Sequence, residues 1–208
     1  MPKGSAKLTN ARKEEIIDAC ASLYETMSFR DITLRDISAR TSFTRTSIYN
    51  YFQTKEEIFL GLLQREYEAW TADLEALLSR SCSAADDFAC ELARTLEKRG
   101  TMLKLLSMNL YDMEGNSRLE NLTEFKKAYA ACLCAISSCL EKFFPQMTPD
   151  SIRDFIYAFL PFIFGIYPYT TATEKQRAAM EAAQMDYAPY SIFALTRSFA
   201  VRLLKSFS

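Results

Sequence analysis

Histidine is absent from all 208 residues. That removes the commonest general base and a leading metal ligand. Glycine and proline are scarce, at 5 and 6 residues, which argues against a sandwich, a barrel or a glycine-rich phosphate loop and in favour of helices. Long apolar runs are missing too. The richest stretch, residues 155–169, is interrupted by Pro161, Gly165 and Pro168 and falls short of the roughly 18 apolar residues a membrane span needs. The basic start, Met1-Pro2-Lys3-Gly4-Ser5, has no apolar segment behind it and does not read as a signal peptide. A cytoplasmic location without membrane contact is expected.

Six cysteines are present, with no CxxC pair. In an intracellular chain they are expected to be reduced and to act as small buried hydrophobes. Cys132 and Cys139 share a helical face and Cys134 points elsewhere. No metal site and no cofactor is implied.

What is there is an apolar fraction of 49%, a charged fraction of 25% and a net charge of -1. That charge is unevenly spread. Through Lys55 the chain carries nine basic and six acidic residues, a balance of +3 that leaves -4 for the rest. A basic head on an acidic body points to a head that meets nucleic acid.

The head reads as a first helix followed by two short ones joined by a tight turn, with a further helix opening at Thr54. The first helix is expected from about Thr9 or Asn10, with Asn10 as its cap, to Met27; Ile16, Ile17, Cys20, Leu23, Tyr24 and Met27 recur on one face. Ser28-Phe29-Arg30-Asp31 breaks it. Thr33 sits at an N-cap position with Asp36 three residues on. Thr44 is a second cap, opening a helix whose Ile48 and Phe52 are spaced to pack inward together. Thr54-Lys55-Glu56-Glu57 is a third start. This is the layout of a helix-turn-helix, which places its second helix in the DNA major groove.

The DNA-facing set is Thr33, Thr44, Arg45, Thr46, Ser47, Tyr49, Tyr51 and Lys55. Arg45 stands where it could reach a guanine edge with two hydrogen bonds, and Thr46 and Ser47 are short donors for a base edge or a phosphate. Thr33, Tyr49, Tyr51 and Lys55 suit phosphates, which fix position without carrying sequence information. Free N–H groups at the helix starts by Thr33 and Thr54 would add anion-binding ends. The plainer alternatives are an aromatic core patch at Tyr49, Tyr51 and Phe52, and a solvated surface charge at Arg45.

The order of these residues resembles the amino-terminal domain of the TetR family of bacterial transcriptional repressors. The likeness covers about residues 10 to 58. It rests on Thr33, Ile37 and Ala39 in the second helix, on Ile48-Tyr49-Asn50-Tyr51-Phe52, and on Lys55-Glu56-Glu57-Ile58. It implies that Tyr49 and Tyr51 touch phosphates, that Lys55 caps the DNA backbone, and that Arg45 and Ser47 face bases. Ser28, Ser42 and Thr46 stand where the family often has glycine. Ser42 would hold a left-handed backbone only at about 1 kcal/mol, or else the turn differs slightly, and Thr46 adds a side chain on the DNA side.

The expected architecture is all-α: a helix-turn-helix DNA-binding domain over residues 1–54 and a helical effector-binding and dimerisation domain over residues 55–208. A long helix from Thr54 to about Leu78 would join them. Further helices are expected at 84–98, 102–111, 119–143, 149–165 and 188–206, with Met113-Glu114-Gly115-Asn116-Ser117 as a turn. Residues 168–187 are expected to form a loop holding a short helix near 174–185.

The resemblance implies a homodimer through the last two long helices, where Ile152, Phe155, Phe159, Ile192, Leu195, Phe199 and Leu203 are candidates. Two-fold symmetry would double the grip on a palindromic operator. It also implies a pocket in the body. Met102, Met108, Tyr111, Phe125, Tyr129, Phe162 and Tyr167 would suit a small apolar or aromatic effector that releases the repressor, although such stripes more often serve a core. Two other classes stay open: a helical interaction module with a non-binding helix-turn-helix, and a small helical enzyme using Asp86, Asp87 or Glu114.

Overall fold

Threonine and serine side chains set most helix starts in this chain. Each accepts the N–H three residues ahead: Thr33 from Asp36, Thr44 from Ser47, Thr148 from Ser151, Thr173 from Gln176 and Ser191 from Ala194, and Thr54 from Glu57 at 3.1 Å. Such caps satisfy donors that a helix start leaves unpaired. The computed structural model describes residues 3–82 and 84–207, with side chains from Lys7 onward. Among the described residues every regular element is a helix: α1 (Lys3–Tyr24), α2 (Leu34–Ser38), α3 (Arg45–Ile48), α4 (Lys55–Leu77), α5 (Ala85–Glu97), α6 (Gly100–Gly115), α7 (Leu119–Phe143), α8 (Pro149–Gly165), α9 (Tyr167–Thr170), α10 (Glu174–Ala182) and α11 (Ile192–Lys205).

Several boundaries differ from the sequence reading. α1 begins at Lys3, so Asn10 is interior to it and caps nothing, and it ends at Tyr24 rather than Met27. α6 continues to Gly115, which leaves the turn to Asn116, Ser117 and Arg118. Pro168 lies in the first turn of α9, where a missing N–H costs nothing. α11 starts at Ile192 because Ser191 supplies its cap. α8 carries Pro161 within its length.

The chain divides into two compact units, Met1–Arg65 with Asn109–Lys127, and Glu66–Met108 with Ala128–Ser208. The core of the first is built from Ile16, Cys20, Ile32, Ile37, Ile48, Ile58 and Phe59, all fully buried. The Phe59 ring lies between Tyr24, edge-on at 5.2 Å, and Phe29 at 4.7 Å. Gly61 lets α4 approach α1 closely: a Cβ there would meet Ile17 Cδ1 at 3.1 Å.

The second unit buries Trp70, Leu74, Phe88, Leu92, Leu103, Ile136 and Phe155. The Trp70 indole donates to Thr95 Oγ1 at 2.9 Å, which satisfies its one polar atom inside that core. Cys20, Cys132 and Cys139 are buried and Cys134 is exposed; all six cysteines are free thiols. Burial pushes the Cys132 thiol up to about 12 and the Cys139 thiol to about 11, so both stay protonated at neutral pH.

Candidate nucleic-acid interface

The helix-turn-helix is assembled on apolar contacts beneath an open polar face. Ile37 from α2 and Ile48 from α3 are fully buried, and Phe52 is nearly so. Beyond α3 the chain keeps a helical course, with the N–H groups of Tyr51 and Phe52 both reaching the Ile48 carbonyl, at 2.9 and 3.0 Å. With that side turned inward, Arg45, Thr46 and Tyr49 face outward and are exposed, while Ser47 and Tyr51 are half-buried.

The residues expected to meet DNA are not equally available. Arg45 is exposed, one guanidinium nitrogen donating to the Tyr49 hydroxyl at 3.2 Å. Tyr49 is 44% exposed, which sets it apart from a core aromatic. Ser47 and Thr44 share a hydroxyl contact at 3.0 Å, so both help to build the helix start. Thr33 is engaged by its own capping box: its hydroxyl donates to Asp36 Oδ2 at 2.6 Å and its N–H to the same atom at 2.9 Å. That hydrogen bonding holds the Asp36 carboxyl below the usual carboxylate range. The acidic cap thus occupies much of what an anion would take at this helix start.

Lys55 is committed elsewhere. Its ammonium donates to the carbonyls of Phe29, Arg30 and Ile32 at 2.7, 3.3 and 3.1 Å. The three donors of an ammonium are thereby used, which differs from a phosphate-capping lysine. The physical reason is local: residues 29–32 cross the start of α4 and leave their carbonyls without helical partners.

Two cations that the sequence reading passed over sit at the same face. Arg12 of α1 donates to the Tyr51 hydroxyl at 3.0 Å, with its guanidinium carbon 5.7 Å from the Phe43 ring centre. Arg35 joins Thr33, Leu34, Arg45, Lys55 and Glu56 around a groove of about 510 Å³. Arg35 follows its cap by two residues, so the cap could have pointed to it. Arg12 is 39 residues from Tyr51, and no local pattern links them. Lys3, part of the basic start, has its side chain outside the described residues.

The turn between α2 and α3 resolves the expectation about Ser42. Among the described residues Gln184 alone has a positive φ among non-glycines, so Ser42 carries no left-handed strain. Its N–H donates to Glu15 Oε1 at 2.6 Å. A side chain of α1 thus holds this turn through the Ser42 N–H.

The expected effector and dimer residues are dispersed. Met102 and Phe125 are buried; Met108 and Tyr111 are 61% and 91% exposed. Tyr111 and Phe125 fall in the first compact unit, whereas Met102, Met108, Tyr129, Phe162 and Tyr167 fall in the second. Tyr129 packs edge-on against Tyr67 at 5.4 Å. Of the seven, Phe162 alone borders the cleft of about 670 Å³ in the second unit, with Tyr169, Tyr187 and Tyr190 among its walls. Ile152, Phe155 and Phe159 are buried within their own unit, Phe155 stacked on Phe159 at 5.6 Å, and so do not form a free face. Ile192, Leu195, Phe199 and Leu203 of α11 are half-buried, and Phe199 stacks on Phe162 at 4.1 Å and 6°.

Of the carboxylates considered for an enzyme, Asp86 pairs with Arg197 at 2.7 Å and Glu114 with Lys126 at 2.7 Å. No group of three or more His, Cys, Asp or Glu side chains suited to a metal ion occurs among the described residues. No described helix is long and apolar enough to cross a membrane.

No curated protein matches the sequence. Solved structures of similar fold include a protein of Mesorhizobium loti MAFF303099 assigned to the TetR family, 15% identical, with a TM-score of 0.61 and 96% of each chain covered. The regulator FadR of Bacillus subtilis, in complex with stearoyl-CoA, is 16% identical, with a TM-score of 0.61 over 94% of this chain and 98% of its own. The fatty acid degradation regulator FadR of Bacillus halodurans is 13% identical, with a TM-score of 0.60 over 93% and 94%. The model of bacterial regulatory proteins of the tetR family matches residues 16–62. The model of the tetracyclin repressor-like C-terminal domain matches residues 64–197, so that from the first helix into the last this chain belongs to the TetR family of transcriptional regulators.

Proposed function

We propose that the protein is a ligand-responsive repressor that binds a palindromic operator as a homodimer and is released by a small apolar or aromatic effector. The observation that carries this reading is the outward face of α3, where Arg45, Thr46 and Tyr49 stand exposed over a buried Ile48. Residues 1–54 read DNA; residues 55–208 bind effector and partner. Arg45 reads a base edge, Thr46 and Ser47 meet bases or phosphates, and Tyr49 and Tyr51 hold phosphates, Tyr51 with Arg12 beside it.

The dimer forms through the half-buried apolar side of α11, with Ile192, Leu195, Phe199 and Leu203. The cleft beside Phe162, about 670 Å³ with three tyrosines in its wall, has the volume and lining of a small-molecule site. An apolar effector also accords with the stearoyl-CoA held by the Bacillus subtilis regulator. The test is a titration of random duplexes at two salt concentrations, followed by selection of bound fragments. Salt-dependent binding with an enriched inverted repeat is expected, and Arg45→Ala should relax preference at particular base pairs by about 1–3 kcal/mol. Absence of salt-sensitive binding would sink the reading.

A further inference from the structure

Arg118 lies in the turn between α6 and α7, far in sequence from the DNA-reading segment. Its side chain nevertheless ends there. The Nε donates to Glu57 Oε1 at 2.6 Å, and Nη2 donates to Glu57 Oε2 at 2.8 Å and to the Tyr51 carbonyl at 3.2 Å. The Arg118 N–H adds a bond to Glu57 Oε1 at 3.0 Å. Glu57 is 1% exposed and also accepts the Gln53 N–H at 2.7 Å. Thr54 donates its hydroxyl to the Asn116 carbonyl at 3.1 Å. One buried carboxylate, gripped by a two-pronged guanidinium, thus fastens the segment just after α3 to the α6–α7 turn.

We propose that Arg118 is a positioning residue for DNA reading: through Glu57 and the Tyr51 carbonyl it fixes the orientation in which α3 presents its outward face. This rests on the DNA-binding function proposed above. Forked pairs of this kind add geometric specificity as well as attraction. Four further features agree with that role. The contacts reach backbone groups at Tyr51 and Gln53, so they set main-chain position. Tyr51 itself is one of the candidate phosphate contacts. Arg118 spends Nε and Nη2 on Glu57 and Tyr51, and Glu57 has almost no exposed surface from which to meet DNA.

The test uses the full chain, a duplex selected on the native protein from a random-sequence pool, and the unselected pool as the non-specific reference. Removing Arg118 alone would leave the Glu57 carboxylate buried and unpaired. The informative variant is therefore Glu57→Gln/Arg118→Met, with Arg118→Lys as a second that keeps the charge but loses the fork. The double variant should keep its helical signal and oligomeric size. Its preference for the selected duplex over the pool should fall roughly tenfold, with an unchanged salt slope, and Arg118→Lys should fall between it and the native chain. A salt slope shallower by about one would make Arg118 a phosphate contact and overturn the proposal. Lowered thermal stability with undiminished preference would make it merely structural and overturn it too. A native chain that selects no duplex refutes the DNA-binding function; native selection with an unaltered double variant refutes the role of Arg118 alone.

Discussion

The ammonium of Lys55 lies 2.7 Å from the carbonyl oxygen of Phe29 and 4.7 Å from the centre of the same residue's ring. Lys55 is therefore a strut between the start of α4 and the loop before α2. Lys55→Ala should lower the stability of the head by about 1–2 kcal/mol, since it strips a charged donor from three carbonyl bonds, two part-buried and one exposed. Urea unfolding followed by circular dichroism measures this. DNA binding below the unfolding range should retain the native salt dependence. A slope reduced by about one at intact stability would instead put the ammonium on a phosphate.

Ser42→Gly tests the turn between α2 and α3. Were Ser42 left-handed, glycine would relieve strain and stabilise the protein. Its φ is not positive, and its N–H is held by Glu15. Glycine should therefore destabilise, by about 0.5–1 kcal/mol, through the extra freedom it gives the unfolded chain. A raised unfolding midpoint would contradict the described turn.

What the sequence made legible was whatever depends on neighbours a turn or two away. The caps at Thr33, Thr44 and Thr54 and the spacing of Ile48 and Phe52 are local chemistry, and they place α2, α3 and the start of α4. Side chains that bridge distant segments were illegible. Lys55 and Phe29 are 26 residues apart, and Arg118 and Glu57 are 61 apart. In sequence Lys55 and Arg118 are each one more charge near a helix start. Periodicity likewise shows that Phe155 and Phe159 share a face, but not which surface that face meets. Asn10 looked like a cap because its chemistry permits one, yet α1 already runs through it.

Phe155 and Leu195 were alike in pattern and should differ in experiment. Phe155 is fully buried, so Phe155→Ala should cost about 3–5 kcal/mol of stability by opening a cavity. Leu195 is half-buried on α11, where a glutamate would remain partly solvated in a lone subunit. Leu195→Glu should leave the thermal midpoint of the isolated subunit near native while shifting the sedimentation profile from dimer to monomer. A dimer of undiminished strength would remove this side of α11 from the interface.

Acid should act on the head through Glu57. Burial alone would raise its carboxyl, but the Arg118 guanidinium, the Gln53 N–H and the Arg118 N–H together outweigh it and hold the group below its ordinary 4.5. Below about 4.5 the unfolded chain therefore binds a proton that the folded chain still refuses. Stability from this site is complete above that value and drains away as pH falls through the lowered one. Comparing urea midpoints between about pH 6 and about pH 3 should show a flatter acid slope for Glu57→Gln than for the native chain. The neutral side chain has no proton to gain, so its lower starting stability should change less on acidification. Parallel slopes would mean that Glu57 titrates alike in both states, which its grip on Arg118 forbids.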